Sequence, residues 1–420
     1  MKIAYIDHWF RRISKSTNFI QRLFGDLGPT SLYTAELLNK DFYKTLLESD
    51  YNYYVVTQND PIAIFLLSHQ KRVISIPMYD GSGGFPLINW QAQKDALFLN
   101  FCNYLHKQTQ IAGCKSKYIK YFPNSLRSIS TSHTCPDGDD ISLFFWERVP
   151  SSGISIEWLS HLLSRWTLPV NKVHVHLAPD PGEVASYQSL DGLKRVVATR
   201  SGVNKDHAVT ISSWFSNKEE MQEVMLKSEV YICPRPAEGI GLSFLEALVN
   251  ERCVLAIDRP TMSEYITNNI NGLLISDLDQ TPTRSRPEQI RRLGFQAGLQ
   301  SRAETETMNA AITSVGEYIA NNHWRNSQIF RKPLSPAQAV ELSYAFITWP
   351  EYYCRLLASY CEARHLDGQS NKAFLISRYA RMAYNAFSIN NHRLAASRPV
   401  LSYRLQHLGA KLAAFARAEC

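Results

Sequence analysis

Short apolar and β-branched runs alternate with helical patterns from the first residues to about residue 325. This alternation predicts parallel β-sheets with crossover helices, which is an α/β architecture. We expect two series of strands, separated by a polar stretch. The first series covers residues 2–6, 53–57, 73–77, 97–102 and 118–122, and the second covers residues 141–146, 172–177, 208–212, 230–233, 254–257 and 273–275.

The polar stretch at residues 128–140 is rich in turn-forming residues and indicates a domain boundary near residue 130. From Pro287 onward the pattern becomes helical and is interrupted mainly by prolines. We therefore expect two parallel-sheet domains and a helical extension. Their predicted ranges are 1–130, 131–330 and 331–420.

Two capping boxes predict helix starts in the second domain. One is Ser216-x-x-Glu219 and the other is Thr261-x-x-Glu264. In each, the hydroxyl and the carboxylate would satisfy backbone N–H groups at the start of a helix.

The composition is that of a globular protein with a large core. The chain has 420 residues, of which 45% are hydrophobic and 20% are charged. No run approaches the roughly 18 apolar residues of a membrane-spanning helix, and Asp7 interrupts the apolar region that a signal peptide needs. The eight cysteines form no Cys-x-x-Cys pair. We therefore expect a cytoplasmic protein with reduced thiols.

The net charge of +7 is concentrated in the C-terminal part of the chain. From Arg331 onward there are 12 Lys and Arg against 5 Asp and Glu, which accounts for the whole surplus. A basic tail predicts contact with an anionic surface, either membrane lipid or nucleic acid. No nucleic-acid-binding motif is present, so we expect no nucleic-acid partner and rank the membrane first.

Two segments bear on membrane contact. Residues 8–24 mix aromatic and basic side chains, which suits anionic lipid headgroups. An apolar stripe from Leu401 to Phe415 either docks on the body of the protein or meets a membrane. Peripheral association with the inner face of the membrane is therefore one expectation.

The strongest chemical signal follows the strand at 230–233. There the sequence Pro-Arg-Pro-Ala-Glu-Gly-Ile-Gly-Leu-Ser begins a turn that leads into a helix. Gly239 and Gly241 permit a tight turn and close approach of a ligand. The helix that begins near Leu242 directs unbonded backbone N–H groups towards an anion. This arrangement predicts a phosphate site.

Carboxylates accompany this predicted phosphate site. Ser243 and Glu246 are three residues apart and share a helix face, while Glu238 reaches from the loop. Carboxylates accept hydrogen bonds from hydroxyl groups. The pattern therefore indicates a ligand that has both phosphate and sugar hydroxyl groups.

The Glu-Gly-Ile-Gly-Leu-Ser-Phe-Leu-Glu-Ala segment, with Asn271-Gly-Leu-Leu-Ile275 further on, resembles the Glu-x7-Glu region of GT-B glycosyltransferases. The resemblance is to glycosyltransferase family 4 (group 1), of the surface-polysaccharide biosynthesis type. It is specific over residues 208–275 and weaker, by order of elements, over residues 1–325. It implies two Rossmann-like domains that face a cleft. It also implies that Glu238 contacts the donor sugar, Glu246 the ribose, and the Gly241 to Ser243 backbone the diphosphate.

The family neutralises the leaving diphosphate with an arginine and a lysine. Arg148 matches the arginine, whereas Ser152 stands at the position of the lysine. Arg235 is our candidate for the missing cation, because a guanidinium can bind phosphate oxygens through two hydrogen bonds. Trp214 follows a strand where the family places the nucleotide base, so it either stacks on the base or belongs to the core.

In the first domain, the family's glycine-rich loop and histidine are both absent. His8 follows the first predicted strand, and Tyr79 and Asp80 follow a later one, near the family's histidine position. We expect these residues on the acceptor side. The alternatives are a structural histidine and a plain Asp-Gly turn.

The resemblance implies transfer of a hexose-like sugar from a UDP- or GDP-sugar to a glycan or lipid-linked glycan, with retention of configuration and without an obligatory metal or cofactor. Asp137 and Asp139 look like a metal-binding pair but fall in the predicted interdomain turn. Inversion would follow if Asp80 served as a general base. A non-catalytic partner protein of glycan assembly is the alternative from another functional class.

Overall fold

The computed structural model describes residues 1–361 with several gaps, and these described residues form two compact units. The first unit holds Met1–Lys120 and residues 309–361, and the second unit holds Tyr121–Met308. The predicted boundary near residue 130 and the tail stripe from Leu401 to Phe415 lie outside the described residues. The gaps are residues 15, 86, 126–139, 181, 203–204, 216, 284, 322–328, 331, 349–352, 354–355 and 358.

The first unit is built on a parallel sheet that has six strands among the described residues, in the order β2-β1-β3-β4-β5-β6. These strands are β1 Ile3–Asp7, β2 Thr30–Thr34, β3 Tyr53–Thr57, β4 Val73–Ile76, β5 Leu97–Asn100 and β6 Lys115–Tyr118. The four inner strands β1, β3, β4 and β5 are buried throughout, as expected for a sheet covered on both faces.

The sequence analysis missed one edge strand of this sheet and misplaced the other. It did not predict β2, which pairs with β1 from Ile3–Thr30 to Asp7–Thr34. It also put the last strand at 118–122, whereas β6 begins at Lys115. Both edge strands are polar and partly exposed, so neither has the continuous apolar run that marks a buried strand.

Helices connect the strands of the first unit. The helix α4 is apolar on all sides, and every one of its residues is buried. The helices from the N-terminal part of the chain are α1 Trp9–Ser14, α2 Asn18–Gly25, α3 Lys40–Glu48, α4 Asp60–Ser68, α5 Tyr79–Ser82, α6 Leu87–Ala92 and α7 Asn103–Ile111. Two elements that follow the second unit in the sequence also belong to the first unit. They are the last turns of α14 Pro287–Ala320, and α15 Pro336–Thr348.

Helix α15 completes the core of the first unit as far as it is described. It packs on α3 and α4, and its buried Leu342 and Ala345 join the same apolar cluster as Ile62 and Leu66. The Tyr43 hydroxyl bonds the Ser343 hydroxyl at 2.7 Å in this buried contact. Residues 336–348 are therefore helical, within the range for which the sequence predicts helix.

We expect Tyr43→Phe to lower the free energy of unfolding by about 1 kcal/mol, because it leaves the buried Ser343 hydroxyl without this partner. Tyr33→Phe is the matched control, since its hydroxyl bonds Tyr51 at the surface of the same unit. Thermal unfolding of the full chain measures both. Equal effects of the two substitutions would contradict the role assigned to the buried contact.

The second unit contains a second parallel sheet, whose described strands follow the order β12-β11-β10-β7-β8-β9. All six were predicted, with ends that differ by at most two residues. The strands are β7 Ile141–Glu147, β8 Val170–Leu177, β9 Val209–Ser212, β10 Val230–Ile232, β11 Cys253–Ile257 and β12 Leu273–Ile275. The predicted α/β class with two parallel sheets is confirmed.

The helices of the second unit lie between its strands. One face of the sheet packs against α8 and α9 through an apolar cluster that includes Leu143, Val175, Leu159 and Leu193. The helices are α8 Ile156–Arg165, α9 Leu190–Ser201, α10 Lys205–Ala208, α11 Lys218–Leu226, α12 Leu242–Val249 and α13 Met262–Tyr265, followed by most of α14.

The two predicted capping boxes are not the caps that the structure describes. Ser216 lies outside the described residues, and α11 is capped by Asn217, whose side chain accepts a hydrogen bond from the Glu220 backbone N–H. Thr261 precedes α13 as predicted, but its hydroxyl makes no cap and donates to the Glu238 carbonyl at 2.8 Å. That contact links the start of α13 to the candidate site.

None of the helices that the structure describes is long and apolar enough to cross a membrane. The described cysteines are free and buried, as the sequence predicts for core thiols. They are Cys102, Cys114, Cys233, Cys253 and Cys361. Burial raises the pKa of Cys114 and of Cys361 to about 12, so these thiols stay protonated and unreactive.

Candidate functional site

The predicted phosphate site lies at the carboxyl edge of the second sheet. Arg148 follows β7, the loop that carries Arg235 and Glu238 follows β10, and Thr261 follows β11. These three strands are neighbours in the sheet. Residues that follow adjacent parallel strands meet at the same edge, which is where such sheets bind ligands.

Glu238 lies between two arginines. Its Oε1 atom is 4.0 Å from Arg148 Nη1, and its Oε2 atom is 3.8 Å from Arg235 Nη1. Glu238 is only 3% exposed, and its backbone carbonyl is held by the hydroxyl of Thr261. A buried carboxylate thus has an arginine at ion-pair distance on each side, and its loop is anchored to the start of α13.

Arg148 is held by contacts on several sides. Its Nε atom bonds Asp180 Oδ1 at 2.8 Å, and its guanidinium carbon lies 5.2 Å from the centroid of the Trp146 ring. Burial acts to lower the pKa of Arg148, but Glu238 and Asp180 raise it above its usual value. The guanidinium therefore remains charged and is fixed in direction.

The turn before α12 requires glycine at position 241. Gly241 has φ 73°, in the left-handed region. A Cβ atom there would lie 2.1 Å from a ring carbon of Phe244 and 3.2 Å from Cβ of Glu238. The Gly241 carbonyl accepts the N–H groups of Phe244 and Leu245, so the helix begins at Leu242 as the sequence predicts. The turn positions the first N–H groups of α12 next to Glu238.

The first turns of α12 place Ser243 and Glu246 as predicted. Ser243 is half-buried and Glu246 is buried, three residues apart on one face. The neighbouring Tyr231 is fully buried, which raises the pKa of its hydroxyl well above its usual value; Ser243 acts in the opposite direction. Gly239 is also buried in the loop. The structure thus gathers the predicted donor residues 235–246 and Arg148 at one edge.

Trp214 and its neighbour Phe215 differ in their surroundings. The Trp214 side chain is 66% exposed. Phe215 instead stacks on the His176 ring, with centroids 4.5 Å apart and planes at 16°. Of the two readings made from the sequence, the core position is therefore wrong for Trp214, which is accessible to a ligand.

A chain of hydrogen bonds joins the side chains of β8 to those of β9. The sequence analysis did not predict it. Ser212 Oγ lies 2.8 Å from His174 Nε2 and 2.9 Å from His176 Nδ1, and Thr210 Oγ1 lies 2.9 Å from His174 Nδ1. Burial lowers the pKa of His174 and of His176 to about 4. Both rings are therefore neutral at pH 7. The alternating His-x-His in β8 and Thr-x-Ser in β9 was a signal that could have identified the network.

The predicted acceptor-side residues lie in the first unit, after β1 and β4. Asp80 Oδ1 accepts hydrogen bonds from Gln58 Nε2 and from the Gly81 N–H, both at 2.9 Å. Burial lowers the pKa of His8, which leaves the ring neutral at pH 7. The Tyr79 ring packs edge-on against Tyr104 at 5.5 Å. Asp80 and His8 belong to one polar cluster, and Tyr79 packs beside it.

Asp137 and Asp139 lie outside the described residues. Across the part of the chain that the structure describes, no three His, Cys, Asp or Glu side chains cluster so as to hold a metal ion. The site residues missed by the sequence reasoning are Asp180, Thr261, Arg11 and Gln58. Each of the four follows the carboxyl end of a parallel strand, which was a signal that could have found them.

Comparison with known proteins agrees with this architecture. Residues 203–281, which include the Glu238 to Glu246 segment, match a family model described as Glycosyl transferases group 1. No curated protein matches the chain. The Anabaena protein HepE, solved with UDP and glucose, is 14% identical with a TM-score of 0.50, over 76% of this chain and 100% of that one.

A second solved structure is similar over the same extent. The sucrose-phosphate synthase of Thermosynechococcus elongatus is 12% identical with a TM-score of 0.53, over 76% of this chain and 98% of that one. At these identities the likeness shows the fold. The predicted GT-B fold is therefore confirmed.

Proposed function

We propose that this protein is a glycosyltransferase of the family 4 type that moves a hexose from a nucleotide-sugar to a glycan or lipid-linked glycan acceptor, with retention of configuration. The donor binds the second unit and the acceptor binds the first. The observation that carries this proposal is the buried Glu238 held between Arg148 and Arg235, next to the first turn of α12. This group of residues lies at the edge of the sheet where α/β proteins bind ligands.

Each donor group has a matching partner at this edge. The backbone N–H groups at the start of α12 suit the diphosphate, and the carboxylate of Glu238 suits the hydroxyl groups of the donor sugar. Glu246, buried one helical turn beyond Ser243, suits the ribose. Exposed Trp214 suits the base. The UDP in the HepE structure supports a UDP-sugar ahead of a GDP-sugar.

The arginines would stabilise the charge that develops on the leaving diphosphate. Fixed cations in a buried site act strongly on such charge because they need no reorganisation during the reaction. The hydroxyl of Ser152 bonds the Val149 carbonyl at 2.6 Å and has no charge to contribute. The ion pair of Arg235 with the second carboxylate oxygen of Glu238 places Arg235 close to the site. This position supports Arg235 as the replacement for the family's lysine.

Retention requires no general base on the protein, because the departing diphosphate itself can accept the proton of the acceptor. Inversion would require a base such as Asp80 next to the acceptor hydroxyl. The anomeric configuration of the product separates these mechanisms. We propose retention because the donor-side residues follow the family 4 pattern.

A lipid-linked acceptor and a peripheral position on the inner face of the membrane complete the proposal. Their support is the basic C-terminal sequence, which lies beyond the described residues. Binding to vesicles of anionic lipid, compared with neutral vesicles, tests this part separately from the donor site.

A non-catalytic partner protein of glycan assembly is the second candidate. It is favoured by the loss of the family's lysine at Ser152. Such a protein would bind a nucleotide-sugar without releasing nucleotide. Nucleotide release in the presence of acceptor therefore distinguishes the two candidates.

The donor site is tested by thermal unfolding with UDP, GDP and their sugar conjugates. A ligand at a hundred times its dissociation constant adds about 2.7 kcal/mol of stability. We expect one nucleotide to stabilise the natural protein and Glu246→Gln to weaken that binding at least tenfold. Glu223→Gln, on the exposed face of α11, is the matched control. A response that is equal in both variants, or absent from the natural protein, would refute the donor site.

A further inference from the structure

A connected set of side chains lies at the carboxyl ends of three neighbouring strands of the first unit. Asp7 ends β1 and Arg11 follows it, Gln58 follows β3, and Asp80 follows β4. Arg11 Nη1 lies 3.3 Å from Asp7 Oδ1, and Arg11 Nη2 donates to Gln58 Oε1. Gln58 Nε2 donates to Asp80 Oδ1 at 2.9 Å. Gln58 is thus the link between a buried ion pair and a predicted acceptor-side carboxylate.

The ion pair at the start of this set is fixed. Asp7 and Arg11 are only 6% and 7% exposed. Asp7 Oδ2 accepts a hydrogen bond from the Thr17 hydroxyl at 2.7 Å, and Asp7 Oδ1 accepts the His8 N–H at 2.8 Å. Because Asp7 is anchored by these two hydrogen bonds, the Arg11 guanidinium has a defined direction towards Gln58.

The charges on either side set the orientation of the Gln58 amide. A guanidinium has only donors, so the Gln58 oxygen faces Arg11. An ionised carboxylate has only acceptors, so the Gln58 nitrogen faces Asp80. Among the uncharged side chains, glutamine combines an acceptor and a donor at this reach. Glutamate here would set two carboxylates against each other.

The backbone at Gln58 is held in an unfavourable conformation. Its φ of 53° lies in the left-handed region, which costs a non-glycine residue roughly 1 kcal/mol. Its N–H bonds the Ile76 carbonyl at 3.0 Å, which fixes this turn against β4. Glycine would adopt the same conformation without that cost. Exposed Gln70 has the same backbone conformation, with φ 59°, so the role of Gln58 rests on its side-chain hydrogen bonds.

His8 lies in the same cluster. Its ring is close to the charges of Arg11, Asp7 and Asp80. The side chain of Gln58 contacts Asp80 directly, and His8 lies beside that contact.

We propose that Gln58 is a positioning residue that holds Asp80, beside His8, in place for a hydroxyl group of the sugar acceptor. This inference rests on the proposed function. It adds a specific prediction, since Gln58 acts through Asp80 and not on the donor. Its loss should change the kinetic constants for the acceptor and leave those for the nucleotide-sugar unchanged.

The test is Gln58→Met, which keeps the length of the side chain and the left-handed backbone cost but removes both hydrogen bonds. Gln70→Met is the matched control, because Gln70 also has a left-handed backbone, with φ 59°, and is exposed. We expect Gln58→Met to raise the KM for acceptor or lower kcat at least tenfold. The KM for the nucleotide-sugar and the thermal shift with nucleotide should match the natural protein.

Three other outcomes would each count against the inference. Acceptor kinetics of Gln58→Met within twofold of the natural protein would overturn the inference and leave the proposed function intact. Equal losses in acceptor and donor constants would indicate a general structural effect and also overturn it. A natural protein that shows no nucleotide response would refute the proposed function, and the inference would fall with it.

Discussion

Replacing Arg148 by methionine is expected to lower kcat for sugar transfer by about a hundred- to a thousand-fold, the range seen when one fixed group that stabilises transition-state charge is removed. Arg148 lies beside Glu238 and is directed by Asp180, so its charge is available without rearrangement. The loss should fall on kcat more than on the KM for the donor, because the charge on the diphosphate grows as the bond to the sugar breaks.

Two further variants make the Arg148 experiment specific. Arg148→Lys keeps the charge but loses the planar fork, so it should retain more activity than Arg148→Met. Arg165→Met, on the exposed end of α8, should match the natural protein. Steady-state release of nucleotide measures all three, with thermal unfolding to confirm that each variant is folded. An Arg148→Met enzyme within threefold of the natural protein would contradict the role proposed for this residue.

Acidification from pH 6.5 to pH 4 is expected to destabilise the second unit by about 3 kcal/mol through His174 and His176. In the folded protein burial lowers both pKa values to about 4, whereas the unfolded chain has the ordinary value of 6.5. The unfolded state therefore binds more protons in this window, and folding stability falls as the pH falls. Each pKa unit is worth about 1.4 kcal/mol, which we reduce because His174 is partly exposed.

The measurement is hydrogen exchange in peptides from β8 and β9, which reports the second unit by itself. Carboxylates titrate in the lower part of the same range, so the natural protein is compared with a double variant, His174→Gln and His176→Gln. We expect a shallower loss of protection in the double variant. His161→Gln, an exposed histidine of α8, is the control. Parallel slopes for the natural protein and the double variant would exclude this mechanism.

The buried strands were predictable because their sequences are apolar throughout. Strand β11, Cys253–Ile257, is buried at every position, and such a run with turn residues on either side has few alternatives. Edge strands do not meet this condition. In β2, Leu32 is half exposed, and the strand is defined by its pairing with β1, which its own sequence does not contain.

The same distinction applies to the candidate site: its local features were predictable from the sequence, and its contacts between distant residues were not. The turn at Gly241 was predictable because a glycine, a helix start and two glutamates at fixed spacing are local features. The contact of Thr261 with Glu238 joins residues on different loops, and local capping rules gave the threonine a different partner. Gln58 was missed because its role depends on Arg11 and Asp80, which the sheet brings together from distant parts of the chain.

The division of the chain between the two units determines the order in which their cores become available during synthesis. Among the described residues the second unit comes from one stretch of the chain, Tyr121–Met308, whereas the first unit needs α15 and Tyr353, which bonds the buried Asn89 at 2.5 Å. A ribosome therefore delivers residues 121–308 before α15 is available to the first unit. Until α15 emerges, α4 lacks one of the elements that pack on it, so the nascent first unit exposes apolar surface at that stage.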